Sequence, residues 1–340
     1  MRHVEVLMFK PLVHFNRVVA MTAILLLGAV SAQAQTPKIS AIVFAGASAT
    51  PLYVAQDKGF FAKEGLSVDI VATPSSLAQM TGLISGKYQI AATALDNLIA
   101  YQEAPASAQG KPDLVAILGI SSTELALMAQ PEIKSVADLK GRKLAVDSLT
   151  TGFAFVLRHM LEQKGLAPSD YEFVAVGSTR ERVQALRDKK ADAALVSEPF
   201  TTEAKRDGFS FLGEAVSTVG PYAANVHIVN RPWATANGPA MVSYIRAIMT
   251  AIDWIYDPAN RDEAVQILAK NAGIPPAAAR PSIEGIVSGQ AAIDRKAALN
   301  IEGVRKVLEL RARYAQGATP LGPPEKYYDL KWYSEAAAKK

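Results

Sequence analysis

Hydroxyl residues recur in this chain where helices are expected to begin, and that placement is the chemistry of holding a ligand. Four loops carry them: Ala47–Thr50 with Ser48, Ala49 and Thr50, Pro74–Ser76 with Ser75 and Ser76, Ser148–Thr151 with Thr150 just before Gly152, and Ser178-Thr179. A hydroxyl donates and accepts hydrogen bonds, and a helix N-terminus presents unpaired N–H groups and a partial positive charge. Each Ser or Thr can simply cap its own helix. Four such loops in equivalent places instead predict the polar floor of a cleft. The charged residues beside them are Asp96, Asp147, Arg180, Arg182 and Glu198. A guanidinium pairs with a carboxylate or sulfonate through two parallel N–H donors, so Arg182, with Arg180 as the alternative, is the expected partner of an anionic ligand. Asp96 or Glu198 would suit an amine or a ring N–H. Phe44, Phe153, Phe200 and Tyr222 fall at strand ends or loops, where a ring can stack on a ligand or fill the core.

Catalytic constellations are missing from the sequence. His159 lies in an amphipathic helical stretch and His227 in an apolar run, neither with a second ligand at metal spacing. The segment Gly82–Tyr88 echoes a phosphate loop but has the wrong spacing and no Ser or Thr after its lysine. There is no cysteine, which excludes disulfides, thiol catalysis and Cys-zinc sites. No cofactor, metal or catalytic residue is expected.

The elements that position the hydroxyl loops occur twice. Val71, Ser75, Leu83, Lys87 and Ile90 recur 103 positions later as Val174, Ser178, Leu186, Lys190 and Ala193. Each copy reads as a short apolar strand, a hydroxyl-bearing turn, a helix and a second strand. Ile39–Phe44 and Lys143–Asp147 each read as a strand feeding such a turn, and the segment after Gly152 places Phe153, Val156, Leu157, Met160 and Leu161 on one helical face. Leu114–Ile120, Leu125–Met128 and Asn225–Asn230 are further apolar strands, and the remainder is helical, beginning with a stripe at Val242, Ile245, Ile248, Met249, Ile252 and Ile255. Alternating strands and helices predict an α/β fold in which each lobe is a mostly parallel sheet flanked by helices, followed by a helical C-terminal tail. Ligands of such sheets sit beyond the carboxyl ends of the strands.

The N-terminus reads as a leader. Arg2, Lys10 and Arg17 precede the apolar run Val18–Val30, and Ser31-Ala32-Gln33-Ala34 supplies small residues for cleavage. That run is shorter than the roughly 20 residues a spanning helix needs. Residues 35–340 hold 33 bases against 31 acids, a balance that gives no support for nucleic-acid or anionic-membrane binding.

Pro51–Val71, Leu83–Asn97, Ser135–Leu166, Ala191–Phe200 and Asn230–Ala234 together resemble the periplasmic solute-binding proteins for nitrate, taurine, aliphatic sulfonates and thiamine-pyrimidine precursors. The resemblance implies a two-lobed type II periplasmic binding protein, not an enzyme, that captures a small polar organic ligand between its lobes. It would work as a periplasmic monomer with the permease and ATPase of an ABC importer. Residues 1–34 would be the signal peptide, 38–122 with 222–340 the first lobe and 123–221 the second, with hinges near Ser121–Glu124 and Thr218–Ala223. The family's ligand-contacting loops carry over to Ser48–Thr50, Ser75-Ser76, Thr93–Asp96, Ser148–Gly152, Ser178-Thr179 and Ser197-Glu198. Gln89 departs from the family's usual Asp, which Asp192 retains in the second copy. The alternative implied by the same family is a secreted enzyme related to thiamine-pyrimidine synthesis; its Cys-rich motif has no counterpart in a chain without Cys.

Export is expected to release a chain beginning at Gln35. Intact-mass measurement of the exported protein checks this, and an uncleaved leader would refute it.

Overall fold

The computed structural model describes His3 and residues 37–104, 110–122, 125–289, 292–315 and 320–339. All of the expected leader except His3 lies outside them, as do Thr123 and Glu124 of one expected hinge.

The apolar runs form two five-stranded sheets. In chain order the strands are β1 (Lys38–Val43), β2 (Ser67–Ala72), β3 (Ile90–Thr93), β4 (Leu114–Ser121), β5 (Ala126–Ala129), β6 (Arg142–Val146), β7 (Tyr171–Ala175), β8 (Ala193–Val196), β9 (Ser210–Glu214) and β10 (Asn225–Asn230). The first sheet has the order β2-β1-β3-β10-β4 and the second β7-β6-β8-β5-β9. In each sheet the fourth strand runs against its neighbours while the first three are parallel. The mostly parallel expectation therefore holds with one reversed strand per sheet. Each of those two strands is the first strand after the chain passes from one sheet to the other.

Helices α1 (Thr50–Asp57), α2 (Phe60–Lys63), α3 (Ser76–Ile84) and α4 (Leu95–Glu103) accompany the first sheet, and α5 (Gly152–Glu162), α6 (Thr179–Arg187), α7 (Phe200–Arg206) and α8 (Ala215–Val219) the second. The chain continues through α9 (Arg231–Ala236), α10 (Gly238–Tyr256), α11 (Arg261–Ala272), α12 (Pro276–Ser288), α13 (Ile301–Tyr314) and α14 (Lys331–Ala338). Strand β9, half-exposed at a sheet edge, carried no sequence expectation, because its five residues have no long periodic pattern.

The duplication is a duplication of register. Val43 of β1 pairs with Ala72 of β2, and Val146 of β6 with Ala175 of β7, each pair 103 positions from its counterpart. Helices α3 and α6 start at positions with the same offset, as do β3 and β8. Gln89 also behaves as its counterpart does. Its Oε1 accepts the N–H of Ser40 at 2.9 Å, as Asp192 Oδ2 accepts the N–H of Lys143 at 2.8 Å. The departure from Asp leaves that hydrogen bond intact, since the longer amide reaches the same donor.

Alternation along β1 divides the core. Ile39, Ala41 and Val43 pack toward α1 and the buried stripe of α10, whereas Ile42 faces the cluster shared with α3, α4, α5 and α13. Strand β4 is apolar and buried on both faces although it ends a sheet. Its open edge is met by the C-terminal segment, where Tyr328 bridges Ala116 and the Asp329 N–H donates to the Ala116 carbonyl at 2.9 Å. Covering an edge in this way removes a template for strand addition.

One charged pair crosses the middle of the fold. Arg311 of α13 donates to both oxygens of Asp96 of α4 at 2.7 and 2.8 Å, with Asp96 almost wholly enclosed. The same guanidinium donates to the Thr150 carbonyl at 3.1 Å, in the loop that leads into α5. Gly152 makes this approach possible, because a Cβ there would lie 2.5 Å from Asp96 Cβ and 2.2 Å from the Tyr222 hydroxyl. Removing one member of a buried pair strands the other charge, so Arg311→Met should cost about 3–5 kcal/mol in denaturant unfolding. The double variant Asp96→Leu/Arg311→Met should recover much of that loss, and a loss under about 1 kcal/mol in the single variant would show that the pair is dispensable.

Candidate ligand-binding cleft

The carboxyl ends of β1, β2 and β3 and those of β6, β7 and β8 open onto one cleft of about 520 Å³. Of the residues singled out in the sequence, Ser48, Ala49, Ser76, Thr93, Thr151, Gly152, Ser178, Thr179, Arg182 and Ser197 line it. The strand ends bring them together because each hydroxyl sits in the first turn of the helix that follows its strand, or just before it.

The others turn away, each for a local reason. The Thr50 hydroxyl is fully buried and donates to the Ala47 carbonyl at 2.6 Å. Ser75 caps α3 by accepting the Ala78 N–H at 3.2 Å. Ser148 gives its carbonyl to the Thr151 hydroxyl at 3.1 Å, and Thr150 gives its own to Arg311. Asp96 is held in the buried pair described above. Glu198 accepts from the Thr202 hydroxyl at 3.1 Å and from Ser282 at 3.2 Å. The expectation that Asp96 or Glu198 would meet a ligand amine is thus displaced by protein partners that already fill their oxygens.

A hydrogen-bond chain crosses the cleft. Asn97 donates to Thr93 Oγ1 at 2.7 Å and to Ser76 Oγ at 3.2 Å, and the Ser76 hydroxyl donates to Asp147 Oδ2. Ser76 follows β2 and Asp147 follows β6, so this bond ties the two sheets together. Backbone bonds do the same at the rim: Ala47 N–H to the Glu198 carbonyl at 3.1 Å and Ser178 N–H to the Pro74 carbonyl at 3.2 Å. Arg180, from α6, reaches the Ala272 carbonyl at 2.6 Å and lies over the Phe200 ring.

Arg182 differs from its expected role. Its guanidinium is buried and donates to the carbonyls of Leu195 at 2.8 Å and Gly177 at 3.0 Å and to Thr179 Oγ1 at 2.8 Å. Burial lowers its pKa to about 10, with Asp147 and Glu181 opposing the shift, so it stays charged at neutral pH. The Thr179 hydroxyl in turn lies 3.2 Å from that of Ser197. Arg182 therefore organises the second sheet's side of the cleft from beneath, whereas it had been expected as the partner of an anionic ligand.

Sequence reasoning left out several lining residues. Asp147 was noted as a nearby charge but not placed in the site; an acid ending the apolar strand just before a Ser-Leu-Thr-Thr turn was the available signal. His227, from β10, also lines the wall; the Tyr244 hydroxyl lies 2.9 Å from its Nδ1, and burial lowers its pKa to about 3. It is neutral there. Ile120 comes from β4, Leu125 and Ala224 from the residues just before β5 and β10, where the chain crosses between sheets, and Lys270–Gly273 from the end of α11. No local pattern marks these, since only the assembled sheets bring them to the cleft. Among the described residues no group of three or more His, Cys, Asp or Glu is placed to hold a metal ion.

Two such sheets around one polar cleft define the periplasmic binding protein fold. The chain belongs to the NMT1/THI5-like family, whose profile matches residues 47–261. It is 25% identical over 265 residues to the bicarbonate-binding protein CmpA of Synechococcus elongatus, a match covering 70% of this chain and 58% of that one. The chain thus spans less than two thirds of the length of that curated relative. It is 27% identical over 234 residues to the formylaminopyrimidine-binding protein of Halalkalibacterium halodurans, covering 65% of this chain and 66% of the relative. The periplasmic nitrate-binding protein NrtA from Synechocystis PCC 6803 has the same fold, with a TM-score of 0.73 at 16% identity over 90% of this chain and 89% of that one.

Arg182→Ala should leave two backbone carbonyls and a hydroxyl without their donor and destabilise the protein by about 2–4 kcal/mol, even with no ligand present. Urea unfolding of the free protein measures this. A variant as stable as wild type would return Arg182 to the role of a ligand contact.

Proposed function

We propose that this chain is an extracytoplasmic solute-binding protein. It captures one small polar organic solute in the cleft between its two sheets and delivers it to the permease and ATPase of an ABC importer. The observation that carries the reading is the cleft itself, walled by the strand-end loops of both sheets and crossed by the Ser76–Asp147 hydrogen bond. The relatives' names support it, since bicarbonate, nitrate and formylaminopyrimidine are all small polar solutes. Among the described residues no helix is long and apolar enough to cross a membrane. In this reading the protein is a periplasmic monomer released by cleavage after Ala34.

The mechanism is closure on the ligand. The first lobe, 38–122 with 222–340, and the second, 123–221, rotate about the two chain crossings near Ser121–Glu124 and Thr218–Ala223. A ligand that bridges the hydroxyl turns of both lobes stabilises the closed arrangement by its extra contacts there. The bonds from Ala47 to Glu198 and from Ser178 to Pro74 would break and form with each cycle, because they join the two rims.

A bound solute should raise the unfolding free energy by about 2.7 kcal/mol at a hundredfold excess over its Kd. Thermal-shift screening with bicarbonate, nitrate, sulfonates and formylaminopyrimidine finds the solute, and small-angle scattering should then show compaction on its addition. An unchanged radius of gyration at saturation would reject closure, and chemical conversion of the bound solute would reject a pure binding role.

A further inference from the structure

A second concave site lies where the first turns of α10 meet α14. Gly238, Ser243 and Arg246 line it from α10, and Lys331, Trp332, Glu335 and Lys339 from α14 and its end. It shares no lining residue with the cleft. We infer that this groove binds a phosphate-type oxyanion, either a free ion or the phosphate of a lipid headgroup, whatever solute the cleft holds. At about 520 Å³ the groove has room for such a group.

The start of α10 lacks acceptors. A helix of 19 residues carries a partial positive charge at its N-terminus, and its first N–H groups have no partner within the helix. Asn237 precedes it without capping it, because its side-chain amide donates to the Trp233 carbonyl at 2.8 Å. The first turn contains no acid, and the N–H groups of Gly238 and Ala240 have no carbonyl partner among the described residues. Trp332 supplies an independent donor at the same place. It is only 4% exposed, yet its indole N–H makes no hydrogen bond among the described residues. The helix start lies against that edge of the ring, since a Cβ on Gly238 would sit 3.3 Å from Trp332 Nε1. An indole nitrogen can only donate, so donors from two helices converge on one groove.

The charged residues around the groove suit the same ligand. Arg246 is held by Glu64 at 3.0 Å, Lys331 reaches Asp329 at 3.2 Å and Lys339 reaches Glu335 at 2.5 Å. The two lysines and Glu335 are each about half exposed. Exposed pairs of this kind hold weakly, so either ammonium can turn to a bound phosphate at small cost. Lysine meets phosphate as a compact point charge, while the helix start and the indole supply directed hydrogen bonds. A cationic ligand would face the positive end of α10 and three basic side chains against Glu335 alone among the lining residues.

The test uses the intact protein with two probes: inorganic phosphate by calorimetry and phosphatidylglycerol vesicles by co-sedimentation. Trp332→Phe keeps a ring in place and removes the N–H. It should weaken whichever probe binds by about fivefold or more, the loss expected for one hydrogen bond to a charged group. If circular dichroism shows that variant unfolded, the exposed double variant Lys331→Gln/Lys339→Gln takes its place with the same threshold. Phosphate binding that the variant weakens identifies a free ion as ligand, and vesicle binding that it weakens without phosphate binding identifies the headgroup. Phosphate lodged in the cleft would leave the variant's affinity unchanged. A loss below about fivefold for every bound probe, or binding of neither probe by wild type, overturns the site.

Discussion

The buried pair between Asp96 and Arg311 is the contact on which the rest of the architecture depends. It joins α4, beside the first sheet, to α13, far along the chain, and through the Thr150 carbonyl it reaches the loop that enters α5 beside the second sheet. Three segments distant in sequence thereby meet at one guanidinium. Such a pair contributes little net stability over a well-packed apolar substitute, because both charges lose their water. Its value lies in position. A carboxylate so placed tolerates only a cation at that point, and a planar fork fixes the direction of approach. The absence of a side chain at Gly152 lets the start of α5 close against it.

Around that point the fold repeats one local device. A parallel strand ends, the chain turns through hydroxyl residues, and a helix begins. Ser76 and Thr179 stand at the equivalent place, the first residue of α3 and of α6. The two copies have diverged in how they use it. On the first side the turn works through neutral groups, with Asn97 feeding Thr93 and Ser76. On the second, a buried guanidinium ties Thr179 to the backbone of the strand beside it. The cleft is symmetric in backbone and asymmetric in the groups that line its two sides.

The neutral state of His227 follows from the same economy of charge. Buried beside Tyr244, it could become cationic only at a cost in solvation, so its ring serves as a wall of the cleft. Among the described residues that line the cleft, Asp147 Oδ1 is a buried side-chain atom without a hydrogen-bond partner.

The sequence by itself determined the duplicated strand–turn–helix pattern, the two-sheet α/β class and the hydroxyl floor of the cleft. These rest on local physics: the spacing of apolar residues sets the element type, and small hydroxyl residues before a helix set its start. Ser76, Thr93, Ser178 and Thr179 were legible for that reason. The tertiary structure alone decided what each charge does. Asp96 looked like a free acid near a loop and is the partner of a residue 215 positions away. Arg182 looked like the partner of an anionic ligand and is buried beneath its own turn, while Asp147, a nearby charge in the sequence, accepts the Ser76 hydroxyl across the cleft. Strands β5 and β10 run backwards in sheets that otherwise read as parallel, because direction depends on which sheet the chain is returning to. A charge has its role set by which distant acceptor or donor reaches it first, and that distance exists only once the sheets are assembled.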